Sequence, residues 1–149
     1  MSLASEYHRE GFNCAESVLL ALCQEMGIES PFIPRIATGF GGGIGHTGGI
    51  CGAVTGAVMA LGIRFGRSNP QDKETRDRLY LLVESFLKAV GKNLGHLDCL
   101  SLIGVRLNTE EGLKQYREGN LREKCRSIVT TVENIALQYL HGGDSIQAL

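Results

Sequence analysis

Between Thr38 and Arg67 the chain has a glycine-dense run, Thr-Gly-Phe-Gly-Gly-Gly-Ile-Gly-His-Thr-Gly-Gly. It leads into Ile50-Cys51-Gly52-Ala53-Val54-Thr55-Gly56-Ala57-Val58-Met59-Ala60-Leu61-Gly62-Ile63, with no ionised side chain until Arg64. At about 100° per residue, Val54, Val58, Leu61 and Phe65 share one helical face, and Gly52, Gly56, Met59, Ala60 and Ile63 share the other. A helix that is apolar or small all round needs other helices to cover it. With about fourteen such residues it is too short to cross a bilayer. It reads as the central helix of a bundle, with Cys51 in its first turn. The pair Gly52-x-x-x-Gly56 leaves room for a neighbouring backbone.

The flanking sequence agrees with that picture. Residues 2–10 suit a short helix stopped by Gly11. Asn13 and Glu16 form a capping box for a helix from Cys14 to Met26, which buries Ala15, Val18, Leu19, Leu22 and Met26 and ends at Gly27. Ser68-Asn69-Pro70 resembles a helix start with proline at the first position, for a helix over residues 70–92. Asp98 and Thr109 are N-caps for short helices ending near Gly104 and Gly119. Asn120 with Glu123 makes a second capping box, opening a helix from Leu121 to His141. No segment alternates with period two between turns. The expectation is an all-α bundle of five to seven helices, in a single domain over residues 1–149.

Charge excludes some partners. The 15 Lys+Arg balance 16 Asp+Glu and are scattered, so no nucleic acid or anionic membrane is expected as a partner. Residues 1–12 carry Glu6, His8, Arg9 and Glu10 without an apolar core, so no signal peptide is expected. The expected location is therefore the cytoplasm, where thiols stay reduced. The small-residue surface also allows a homodimer.

Five cysteines, Cys14, Cys23, Cys51, Cys99 and Cys125, lie too far apart for a C-x-x-C, zinc-ribbon or haem-attachment motif, so the fold must assemble any shared site. Cys14, Cys51 and Cys99 each fall at or near an expected helix N-terminus, where free amides and the dipole favour a thiolate. Cys125 lies about one turn into the last helix, on its apolar side. Cys23 is nine residues from Cys14, close to 180° around the same helix, and reads as a packing residue. Converging thiols suit disulfide exchange, a zinc site or an iron–sulfur cluster. Simple burial of small side chains is the competing explanation.

Cys51 has the strongest local case for a low pKa: a helix start, a glycine-rich approach, and His46 as a base or ligand nearby. His96 stands in the same relation to Cys99, and His8 and His141 are set aside. Gly41, Gly42 and Gly43 are the candidates for holding a cofactor or an anion in a nest of amides. The formal Gly43-x-Gly45-x-x-Gly48 fingerprint lacks the strand and the acidic residue that dinucleotide binding needs.

Gly11-Phe12-Asn13-Cys14-Ala15-Glu16, Phe40-Gly41-Gly42-Gly43, Cys51-Gly52-Ala53-Val54-Thr55-Gly56-Ala57 and the later Cys99 and Cys125 resemble the C-GCAxxG-C-C family across about residues 7–136. That family is described as redox-active. The resemblance implies that its four cysteines correspond to Cys14, Cys51, Cys99 and Cys125, with Cys23 extra. Two expectations follow: a redox protein, as an oxidoreductase with an unidentified redox partner, or a metal-binding or scaffold protein without turnover. In the first, the four cysteines exchange disulfides or carry electrons through an Fe–S cluster or metal they bind.

Overall fold

Short polar side chains set most of the helix starts. The computed structural model, which describes residues 2–142, has seven α-helices and one 3₁₀ helix, and five of the α-helices start at a capping side chain. The α-helices are α1 (Leu3–Glu10), α2 (Cys14–Met26), α3 (Gly52–Phe65), α4 (Lys73–Leu94), α5 (Cys99–Ile103), α6 (Glu110–Glu118) and α7 (Leu121–His141), and the 3₁₀ helix is Arg35–Phe40. Among the described residues there is no strand, only an isolated antiparallel bridge between Ile50 and Asp98. The all-α expectation holds. The caps act as the sequence implies at α2, where Asn13 accepts from the Glu16 amide and Glu16 accepts in return, and at α5 and α6, where Asp98 and Thr109 accept from Ser101 and Gly112.

Three local expectations change. Cys51 is the N-cap of α3 and not part of its first turn. The fourth helix starts at Lys73, because the Asp72 carboxylate takes the Thr75 amide and outcompetes the proline start at Pro70. Asn120 makes no side-chain cap: it sits in the left-handed region at φ 54°, where the chain turns from α6 into α7, and not in the extended conformation of a capping residue.

The central helix packs where its glycines are. A methyl group on Gly56 would stand 2.5 Å from the Ala15 carbonyl oxygen, and one on Gly52 would stand 2.9 Å from the Ala15 amide nitrogen. Helices α2 and α3 therefore touch backbone to backbone. On its other sides α3 meets α7 and α4. Leu19, Leu22, Val54, Leu61, Phe86, Val129 and Val132 fill the shared core. Coverage is not complete, since Val58 and Met59 are half-buried and Ile63 is exposed. Helix α1 is pinned to α7 by polar contacts: the Ala4 amide donates to buried Glu133 at 3.0 Å, and Ser2 meets Thr130 at 3.0 Å. No helix among the described residues is long and apolar enough to cross a membrane.

Candidate functional site

The glycine loop folds onto itself before it delivers Cys51. Gly42, Gly43, Ile44, Gly45, His46 and Gly48 all have φ between 57° and 80°, a run that only a glycine-rich segment sustains at tolerable strain. The amides of residues 44–49 all donate to carbonyls of residues 39–44. A methyl group on Gly43 would lie 2.5 Å from the Gly49 amide nitrogen, and one on Gly41 would lie 2.6 Å from Asn13 Nδ2. Close approach accounts for glycine at Gly41 and Gly43, among the three expected as cofactor or anion ligands (Gly41, Gly42 and Gly43), and the amides of residues 44–49 that follow are bonded within the loop.

The end of this loop then pairs with the segment before α5. The Cys51 amide donates to the Leu97 carbonyl at 2.8 Å, and the Cys99 amide donates to the Gly49 carbonyl at 2.7 Å. Side chains alternate along paired extended backbone. The Ile50–Asp98 bridge therefore turns Cys51 and Cys99 to one side, leaving Ile50 exposed on the other. Cys14 arrives from the first turn of α2 and Cys125 from the second turn of α7.

All four line one cavity of about 240 Å³. Its apolar wall comes from Leu102, Ile103, Leu107, Leu113 and Ile128, and its polar wall from His8, Asn13, Tyr116 and Arg122. Cys51, Cys99 and Cys125 are only 5%, 8% and 7% exposed. His46 and Gly42 reach the rim, with His46 itself exposed. His96 is exposed and stands outside the lining. Cys23 faces a different groove, beside Tyr7, Leu20 and Gln24.

The thiols are not equivalent. Cys14 lies in hydrogen-bonding reach of Cys125; that contact first, then burial, pushes the Cys14 thiol well up. Cys125 is drawn down to about 7, because the Cys14 thiol, the Tyr116 hydroxyl, Arg122 and Lys124 favour its thiolate over the opposing cost of burial. Burial pushes Cys51 up to about 11; the nearby amides of Ala53 and Val54 favour its thiolate without closing a cap hydrogen bond. Burial, with the neighbouring Cys51 and Cys125, pushes Cys99 up to about 12. The low pKa expected at Cys51 is therefore found at Cys125. A helix N-terminus provides about 1 kcal/mol of local charge stabilisation, less than desolvation of a buried thiolate costs.

Three further residues complete the site. His8, 2% exposed, puts Nε2 3.8 Å from Cys14 Sγ while its Nδ1 has no partner. Burial first, then Arg122 and Arg126, lowers its pKa to about 4, so the ring is neutral at pH 7. Arg122 Nη2 donates to the His8 carbonyl at 2.7 Å, joining α7 to α1. Burial raises the Tyr116 pKa, and the Cys125 charge raises it further. Sequence signals for them were slight: His8 shares the inner face of α1 with Ala4 four residues earlier, and Arg122 precedes Cys125 by three. Among the described residues, no three His, Cys, Asp or Glu side chains are grouped so as to hold one metal ion.

Residues 12–139 match the family model described as "Putative redox-active protein (C_GCAxxG_C_C)". The chain belongs to the C_GCAxxG_C_C family. The matched span holds all five cysteines, together with Tyr116 and Arg122, while His8 lies just before it. Curated proteins and solved structures give no match to the chain.

Proposed function

We propose that this C_GCAxxG_C_C protein carries out thiol–disulfide exchange, with Cys125 as attacking thiolate and Cys14 as resolving thiol. The observation that carries the reading is the convergence of Cys14, Tyr116, Arg122 and Cys125 on one cavity, where the neighbours of Cys125 favour its thiolate. The Cys125 thiolate attacks a disulfide R–S–S–R′, forming Cys125–S–S–R and releasing R′–S⁻. Cys14 then loses its proton and attacks Cys125 Sγ, forming a Cys14–Cys125 disulfide and releasing R–S⁻. The protein dithiol gives up two electrons and the substrate becomes two thiols. Pairwise thiol chemistry has more support than a zinc or iron–sulfur site, given the missing three-donor group. A reducing cytoplasm, which would hold all five thiols free, is part of the proposal.

The test is anaerobic oxidation of the reduced protein with a stoichiometric small disulfide, followed by non-reducing peptide mapping. A Cys14–Cys125 linkage is expected, and Cys14→Ser should accumulate the mixed disulfide on Cys125. Oxidation that leaves Cys125 a free thiol would overturn the assignment.

A further inference from the structure

We infer that the substrate of this cavity is a small organic disulfide carrying an anionic group, and that Arg122 is the residue that holds that group. The inference rests on the thiol reading above and adds its substrate class.

Size and recess come first. With about 240 Å³ of space and Cys51, Cys99 and Cys125 at most 8% exposed, the sulfurs cannot be met by a disulfide fixed in another folded protein. The space is below the usual range of a drug-sized ligand, so it suits one arm of a low-molecular-weight disulfide. The wall chemistry fits an amphipathic guest: five aliphatic side chains on one side, one guanidinium on the other.

Charge selects the sign. Arg122 is half-buried, gives one hydrogen bond to the His8 carbonyl, and forms no ion pair with a carboxylate among the described residues. The other groups near the cavity do not supply a counter-charge. Lys124 adds a second positive charge, His8 is neutral and Glu123 is paired with Arg126. Asp98 is an ionised carboxylate beside Cys99, but it stands outside the cavity lining and forms no ion pair with Arg122. Cys125 and Arg122 line the same cavity, and the guanidinium favours a thiolate on Cys125 in the reduced protein. Forming the mixed disulfide transfers that negative charge to the departing thiolate and leaves Arg122 uncompensated in a half-buried wall. A carboxylate or similar anion on the retained half restores the pairing, so the arginine favours an anionic substrate most strongly after the bond has formed.

The test uses the full reduced chain and three linear disulfides of similar length: dithiodipropionate (anionic), bis(hydroxyethyl) disulfide (neutral) and cystamine (cationic). Rates of Cys125 oxidation are normalised to those of a small neutral thiol with the same reagents. The anionic reagent should react at least about tenfold faster than the cationic one, as an unscreened charge at short range implies. Arg122→Lys should keep most of that preference, and Arg122→Gln should shrink it to within about twofold. Equal normalised rates in the parent protein, or full preference in Arg122→Gln, would overturn the inference while leaving the thiol reading intact. Failure of all three reagents to oxidise Cys125 would overturn both.

Discussion

Helices α2 and α3 take part in two regions of opposite character. Along their shared face the backbones touch, with no space for a methyl group at Gly52 or Gly56. At their N-terminal ends, where Cys14 and Cys51 sit, the packing opens into a cavity of about 240 Å³. The dense face fixes the positions of the two cysteines, and at the open end both line the cavity. Close packing here holds one wall of the site rigid, while α5, α6 and α7 supply the more varied chemistry of the others.

The comparison can be broken most directly at its dense side. Gly56→Ala places a methyl 2.5 Å from the Ala15 carbonyl oxygen, and the expected loss is about 3 kcal/mol, at the upper end for overpacking. Urea denaturation of parent and variant measures it, and reduced reactivity of Cys14 and Cys125 should accompany it as α2 shifts. An unchanged midpoint would mean that the two helices do not meet so closely.

The next effect belongs to the open side. His8 has a folded pKa of about 4 against 6.5 in the unfolded chain, so between those values the unfolded state binds the extra proton. Stability should therefore fall by roughly 2–3 kcal/mol as pH drops from about 6.5 to about 4, and no further below that from this group. His8→Leu should flatten that part of the profile in denaturation curves across the pH range. An equally steep profile in the variant would remove His8 as its source.

The smallest effect sharpens the contrast within α3. A methyl on Gly62 meets nothing within 4 Å. Gly62→Ala should stabilise the protein by about 0.5–1 kcal/mol through helix propensity alone, read from the shift in urea midpoint. A loss at Gly62 like that at Gly56 would show that the dense region runs the length of the helix.

Much of the fold was legible because its punctuation is local. Asn13, Gly27, Asp98, Gly104, Thr109 and Gly119 mark helix ends within a turn of sequence, and they do so in the structure. Where two local signals competed, at Pro70 and Asp72, sequence could not rank them. The Gly52/Gly56 pair announced a close neighbour, although not that the neighbour is Ala15. Helix-start placement and the family pattern singled out Cys14, Cys51, Cys99 and Cys125. Their ionisation was not legible, since Cys51 looks activated by its own helix while burial, a tertiary property, decides the outcome. His8, Tyr116 and Arg122 come from α1, α6 and α7, and only the fold brings them to one cavity.

Central to this account is that Cys125, and not Cys51, carries the reactive thiolate. Site-resolved alkylation of the anaerobically reduced protein, followed against pH by peptide mass spectrometry, tests it. Cys125 should be modified first, with a rate rising through a midpoint at about 7, while Cys51 needs a pH of about 11 and Cys99 of about 12. Cys51 modified near neutral pH, with Cys125 unreactive there, would contradict it.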